Sequence, residues 1–277
     1  MYSRVYVEIT NICNKACSFC PGHGRESRQL TEAEFDSVTD KLLGVTEYLY
    51  YHLMGEPTTH PLLPRFIAIA AEKGYRSVVT TNGTLLGKVG DALIASGVYK
   101  VNISVHSVEG EGGGQYSRYI DTCLDFADKA SREGVLVILR LWNEGHDGGR
   151  NADILRVMKE RFADGEWKTA SNGARIRPRL HLEYGERFEW PDSQAEDGGD
   201  GVFCYGLSDH FSVLCDGTVV PCCRDRNGDI ALGNIFDGDV NEILSSKRVT
   251  DIKDGFRRRC ASEELCRRCG YARQKFG

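Results

Sequence analysis

The sequence predicts an α/β fold of parallel strands and helices, followed by a small cysteine-rich α+β region. Three observations predict it. Six β-rich stretches alternate with helical ones over about the first 185 residues, a pattern that favours parallel strands joined by right-handed crossovers. The chemically unusual residues gather just after strands, where α/β proteins collect their chemistry. Seven of the eleven cysteines lie beyond residue 200.

Residues 4–10 (RVYVEIT) alternate and are rich in β formers, so they read as the first strand. A helix follows over 31–44. Thr31 is its N-cap, Glu34 completes a capping box, and Leu30 with Phe35 forms a hydrophobic staple. Val38 and Leu42 continue its apolar stripe. Residues 46–53 make a second strand, Leu62 to Lys73 a helix, and 75–81 a third strand. A helix over 85–96 stops at Gly97, and 98–106 is the fourth strand. The helix over 116–133 stops at Gly134, 135–142 is the fifth strand, and 151–163 is helical. Residues 174–184 contain a sixth strand interrupted by Pro178. An open doubly wound sheet and a barrel-like sheet both fit. No G-x-G-x-x-G follows the first strand, which counts against dinucleotide binding.

The stretch PDSQAEDGGDG at 191–201 reads as a polar linker. It divides residues 1–190 from a smaller unit at 202–277. A unit that small has a thin core, and bound metal can supply the missing stability.

Composition narrows the class further. With 41% hydrophobic and 27% charged residues the chain is an ordinary globular protein. No apolar run approaches the length of a membrane span, and no signal segment precedes the first strand. A cytoplasmic enzyme without membrane contact is expected. Eleven cysteines in a chain of this length do not suit a disulfide scaffold. Metal, redox catalysis or buried thiols must account for them. The net charge of −5 is uneven, because residues 246–277 hold ten Lys and Arg against four acids. Direct nucleic-acid binding is not expected; arginines around anionic thiolates explain the same charge.

The first cluster, ITNICNKACSFCPG, carries C-x₃-C-x₂-C as Cys13, Cys17 and Cys20. Three thiolates on one loop leave one iron of a 4Fe–4S cluster open. Zinc closed by His23 and incidental thiols are the alternatives on spacing alone.

These residues, with two later motifs, carry a resemblance to the radical S-adenosylmethionine (radical SAM) enzymes. The loop stands as Cys13, Cys17 and Cys20 with Phe19 as its aromatic. "GEP" after the second strand is Gly55-Glu56-Pro57, and "TNG" after the third is Thr81-Asn82-Gly83. The resemblance implies a partial (β/α)₆ barrel over about residues 1–185. It implies a catalytic 4Fe–4S cluster on the three cysteines and S-adenosylmethionine chelated at the open iron. The GEP segment would contact the methionine amino group. Thr81 and Asn82 would shape the cofactor pocket, and Ser104 would meet the ribose. Reductive cleavage would then yield a 5′-deoxyadenosyl radical that removes a substrate hydrogen. A flavodoxin- or ferredoxin-type electron donor is implied as a partner.

The second cluster resembles the SPASM auxiliary-cluster domain. Gly217 to Cys222 matches its G-x₄-C element and Leu232-Gly233-Asn234 its "LGN". The Asp216-Gly217 pair suggests a hairpin turn. The longer cysteine run of two-cluster forms is absent. One auxiliary 4Fe–4S cluster is therefore expected, held by Cys204, Cys222, Cys266 and Cys269. Cys260 and Cys215 are reserves; Cys223 and Cys123 read as packed thiols. Such a cluster would move an electron or hold the small unit together.

On the substrate side, His106 follows Ser104 on the same face and suits substrate contact or proton transfer. Arg140 and Trp142 share a face of the fifth strand and could clamp a planar group. Asn143 ends the same strand. His181, Glu183 and Arg179 share a face of the sixth; Glu183 suits an amine or an arginine partner. His52 precedes the GEP segment. A compact small-molecule substrate is expected, and the architecture is similar to queuine-salvage radical lyases, which implies a modified nucleobase. The other readings are a maturase that crosslinks or epimerises a ribosomally made peptide, and a non-enzymatic metal-binding structural protein.

Overall fold

A computed structural model describes residues 1–108 and 113–276. The parallel core begins with β1 (Arg4–Val7), α1 (Glu32–Lys41), β2 (Tyr48–Tyr51) and α2 (Leu63–Glu72). It continues through β3 (Arg76–Thr81), α3 (Leu86–Ala95), β4 (Lys100–Ser104), α4 (Gly113–Arg132), β5 (Leu136–Glu144) and α5 (Arg150–Arg161). Consecutive strands β1 to β5 pair in parallel, so each helix is a crossover. Thr31 caps α1 with the expected box: its hydroxyl accepts from Glu34 N, and the Glu34 carboxylate accepts from Thr31 N at 2.8 Å.

The sixth strand departs from the expected layout. Instead of one interrupted strand, the segment forms an antiparallel hairpin of β7 (Gly173–Arg177) and β8 (Leu180–Glu186). Pro178 cannot donate to a ladder, and Arg179 adopts φ 64°, so the two turn the chain back on itself. Arg179 therefore lies in the turn and not on the strand. Only β8 joins the core, parallel to β5, and β6 (Lys168–Ala170) extends the hairpin outward.

The C-terminal region adds β9 (His210–Val213), β10 (Thr218–Val220) and β11 (Gly233–Asn234). β9 pairs in parallel with β1, and β10 and β11 follow antiparallel. The result is one eleven-stranded sheet in the order β11-β10-β9-β1-β2-β3-β4-β5-β8-β7-β6. The seven parallel strands, β9, β1 to β5 and β8, do not close on each other, so the barrel is partial. Four helices complete the chain: α6 (Val240–Ser245), α7 (Lys247–Arg257), α8 (Glu264–Arg267) and α9 (Gly270–Phe276). The polar stretch 191–201 runs against them, through Gly198 N to Arg267 O at 3.1 Å and Ala261 N to Asp200 O at 2.7 Å.

Alternation along the strands sorts side chains to two faces. Val5, Val7, Leu49, Tyr51, Val101, Ile103, Val137 and Leu139 are buried in the main core with the helices. There Phe35 of α1 stacks on Phe66 of α2, with centroids 4.3 Å apart. The opposite face carries Tyr6, Tyr50 and His52, whose rings pack together. Among the described residues no helix is long and apolar enough to cross a membrane.

The basic tail is engaged locally. Lys247–Asp251, Arg248–Glu263, Arg257–Asp254 and Arg268–Glu264 are ion pairs near its own helices. Exposed pairs of this kind add little stability. Beside the cysteines of the cavity described below lie Arg224, outside the tail, and Arg273, within it.

Candidate functional site

After β1 the chain stays buried through Glu8, Ile9, Thr10 and Asn11, then emerges at Ile12. Cys13 and Cys20 are exposed and Cys17 is half-buried; none is in a disulfide. Asn11 closes the base of this loop: its side chain donates to Glu26 O at 2.8 Å and accepts from Arg28 N at 2.8 Å. Burial pushes the Cys13 thiol up, with Glu56 and Cys20 adding to the rise while Lys15 N donates to its sulfur.

Three free thiols on one loop are a donor set that fits a four-iron cluster with one open corner. Nε2 of His23 lies 3.0 Å from Asn11 O, and its Nδ1 is buried without a hydrogen-bond partner, so Nδ1 is the nitrogen left to this ring as a donor. Among the described residues no three His, Cys, Asp or Glu side chains converge as a single-ion site.

The Gly55-Glu56-Pro57 segment is tied to that loop. Glu56 N donates to Ile12 O at 2.9 Å. Gly55 has φ 74°, and a Cβ there would lie 2.5 Å from Thr10 O, so no other residue fits. The Glu56 carboxylate is buried and accepts from Thr58 N, Thr58 Oγ1, Thr81 Oγ1 and Asn82 N, at 3.1, 2.6, 2.6 and 2.6 Å. Burial pushes this carboxyl up while those donors oppose the shift. Glu56 thus holds the Thr81-Asn82-Gly83 turn in place. A ligand contact from this segment would have to come from its backbone. Asn82 in turn donates to Asn14 Oδ1 at 2.9 Å, and Asn14 donates to Thr84 Oγ1 at 2.8 Å, which staples the turn to the cysteine loop. Behind the turn, Tyr119 donates to Asn82 O at 2.7 Å. Cys123 is fully buried there, its thiol pushed up to about 12 by burial.

A cavity of about 200 Å³ opens beside the loop at the C-terminal ends of the strands. It is lined by Phe19, His52, Thr80, Ser104, His106, Arg140 and Trp142, and by Arg187, Phe188, Trp190, Cys223 and Arg224. The Phe19 and His106 rings lie 5.3 Å apart. Nδ1 of His106 sits 3.1 Å from Arg140 O and 3.3 Å from Trp142 N. Strand register sets Ser104, Arg140 and Glu183 in one row. Arg140 Nε donates to Glu183 at 3.0 Å, and the guanidinium lies 4.3 Å from the Trp142 ring centre. Glu183 is thus Arg140's partner and does not line the cavity; His181 lines a separate surface pocket with it. Asn143 is buried and accepts from Asn151, away from the cavity. Burial, reinforced by Arg140, Arg224 and Arg4, pushes His52 down to about 3.

Sequence reasoning missed Arg187, Phe188, Trp190, Cys223 and Arg224. The signal was an aromatic and basic run at 187–190 immediately before the polar stretch, and an arginine directly after the paired cysteines.

Cys204, Cys222, Cys266 and Cys269 line a second, apolar cavity together with Pro221, Leu265 and Phe256. Backbone N–H groups point at two of the sulfurs, Gly206 N to Cys204 at 3.4 Å and Ala272 N to Cys269 at 3.4 Å. Such donors suit cluster-bound thiolates. Burial pushes all four thiols up, a cost that metal binding would reverse by deprotonating them. The nearby Asp225 is committed to its own loop, accepting from Asp229 N and Ile230 N at 2.9 Å. The other late cysteines lie elsewhere. Cys260 is exposed and meets Asp200 at 3.2 Å. Cys215 is buried beside Arg25, and Cys223 faces the first cavity.

Comparison with known proteins matches residues 7–146 to the Radical SAM superfamily and residues 204–270 to SPASM, an iron–sulfur cluster-binding domain. A GTP 3′,8-cyclase of Chlorobaculum tepidum is 32% identical over 91% of this chain and 89% of its own. An S-adenosyl-L-methionine-dependent 2-deoxy-scyllo-inosamine dehydrogenase of Niallia circulans is 22% identical over 97% and 93%. Among solved structures, BtrN in complex with AdoMet and 2-DOIA aligns with TM-score 0.60 at 19% identity, covering 97% of this chain and 93% of that one. SuiB of Streptococcus suis aligns with TM-score 0.65 at 13% identity, over 98% and 72%. These structures share the fold.

Proposed function

Because the chain belongs to the radical SAM superfamily, we propose that it starts its reaction at Cys13, Cys17 and Cys20 and completes it on a compact substrate in the adjacent cavity. Superfamily membership brings a catalytic 4Fe–4S cluster and S-adenosylmethionine, and the SPASM region brings an auxiliary iron–sulfur cluster. When bound, they supply one-electron cleavage of the sulfonium, giving methionine and a 5′-deoxyadenosyl radical that takes a substrate hydrogen.

This chain's own residues hold, orient and enclose. Glu56, Asn82 and Asn14 fix the turn that would shape the cofactor pocket, and Ser104 sits where a ribose contact is expected. His106 and Arg140 face the substrate, and Glu183 holds Arg140. Cys204, Cys222, Cys266 and Cys269 would hold the auxiliary cluster. In this reading residues 1–190 carry initiation, 191–201 connect, and 202–277 carry the auxiliary site. A flavodoxin- or ferredoxin-type protein would deliver the electron.

One observation carries the reading. Phe19 of the three-cysteine loop and His106 and Arg140 of the strand ends line the same cavity. The groups that would hold the initiator and those that would hold the substrate share a wall. A cavity of only about 200 Å³, with Arg187, Phe188, Trp190 and Arg224 in its lining, favours a small molecule. A queuine-type base is one member of that class, although the relatives described above are named for other reactions. Peptide maturation is the second reading, favoured by the likeness to SuiB, which has also been solved bound to its precursor peptide SuiA. The test is anaerobic reconstitution and reduction with S-adenosylmethionine, reading 5′-deoxyadenosine. Absence of that product from fully iron-loaded protein would contradict the proposal.

A further inference from the structure

Among the described residues lining it, the cavity is rich in hydrogen-bond donors and holds no carboxylate. Trp142 Nε1 and Arg224 Nε are buried without a hydrogen-bond partner, and both are donors only. Nδ1 of His52 is also buried and unpartnered, and it donates or accepts according to the tautomer. Arg140 uses only Nε, toward Glu183, among its hydrogen bonds to described residues. No Asp or Glu is among the described residues lining the cavity.

The guanidiniums are also held flat. Arg140 lies 4.3 Å from the Trp142 ring centre, and Arg224 lies 3.3 Å from that of Tyr271 and 4.9 Å from that of Phe188. Stacking immobilises the planar fork and leaves N–H groups at its edge for a ligand, beside the contact of Arg224 Nη1 with Cys223 Sγ at 3.9 Å. Unmet buried donors are costly, and here Trp142 Nε1 on β5 and Arg224 Nε on the segment after β10 line one cavity. The complement of such a set is an acceptor-rich, negatively charged group.

Resting on the reading above, we propose that the substrate carries an oxyanion, a carboxylate or a phosphate, which lies between Arg140 and Arg224 with Trp142 Nε1 as a further donor. The aromatic walls of Phe19, Trp142 and Phe188 then take the planar remainder. The competing assignment for Arg224 is counter-charge to the thiols of Cys222, Cys204 and Cys269, which feel its field.

The test uses the reconstituted holoenzyme with S-adenosylmethionine and three probes of one ring size: benzoate, phenyl phosphate and neutral benzamide. Anaerobic titration calorimetry should show at least one anion binding tenfold or more tightly than benzamide. Preference for phenyl phosphate assigns a phosphate ester, and preference for benzoate a carboxylate. R140Q and R224Q should each erase the preference, while R140K and R224K should keep part of it. Equal binding of the three probes, or binding of none, overturns the proposal. So does a preference that survives R224Q while the electron paramagnetic resonance spectrum of the auxiliary cluster changes. Cleavage of S-adenosylmethionine is measured on the same wild-type preparation. Its failure counts against the proposed function, whereas lack of anion preference counts only against this inference.

Discussion

Glu8 and Arg25 meet at 2.7 Å beneath the cysteine loop, with the Glu8 side chain fully enclosed. The Glu8 carboxylate also accepts from Met54 N and Cys215 N, each at 3.1 Å. Arg25 donates to Arg226 O at 2.7 Å. One buried pair therefore joins β1, the cysteine loop, the GEP segment and the C-terminal region. Removing one partner of such a pair leaves an uncompensated charge, at a cost of about 3–5 kcal/mol. Glu8→Gln should lower the melting temperature by roughly 10 °C. Replacing both partners by apolar residues should cost less than replacing Glu8 alone. A melting curve unchanged by Glu8→Gln would show that the pair does not couple these segments.

Gly83 has φ 81°, and a Cβ there would lie 2.6 Å from Cys123 Sγ. Gly83→Ala should destabilise by about 2–3 kcal/mol from backbone strain and the clash together. Cys123→Ala in the same chain removes the clash but not the strain, so a double-mutant cycle should show partial recovery. Strict additivity of the two changes would mean that the thiol does not set this position.

Iron content separates the late cysteines. Wild-type enzyme should carry about eight iron per chain if both clusters are four-iron, and Cys222→Ala or Cys266→Ala about four. Cys260→Ala should leave the count unchanged, because Cys260 is exposed and bound to Asp200. Loss of iron in the Cys260 variant would displace one member of the proposed ligand set.

Two histidines make stability acid-sensitive. Burial, with neighbouring arginines, pushes His52 down to about 3; burial, against the opposing Asp209, pushes His210 down to about 4. Both folded values lie below the unfolded one near 6.5, so the unfolded chain takes up protons first. Stability is intact above about 6.5 and falls as pH drops toward 4, by roughly 1.4 kcal/mol per unit for each titrating group. His52→Gln and His210→Gln should each lose less stability than wild type between pH 7 and 5 in denaturant titrations. Identical slopes would mean that neither histidine is held neutral.

How much was legible in the sequence depended on whether the cause was local. The capping box at Thr31 and Glu34, the stops at Gly97 and Gly134, and the Cys13, Gly55 and Thr81 motifs are short-range patterns, and the elements formed where those patterns placed them. The β7–β8 hairpin was not legible, because an Arg at positive φ after Pro178 leaves no compositional mark. The pairing of β9 with β1 joins strands about 200 residues apart, and parallel pairing at that distance leaves no local signal. The same holds for Arg224 and Arg187, which reach the cavity from segments read only as a cysteine cluster and a linker margin.

The central claim is that Cys13, Cys17 and Cys20 hold the group that cleaves S-adenosylmethionine, apart from the auxiliary site. Its most direct test is 5′-deoxyadenosine formation by reduced, reconstituted protein in which all three are alanine, with iron counted in the same sample. The prediction is about four iron per chain and no 5′-deoxyadenosine, against product from wild type. Continued product formation by the triple variant would contradict it.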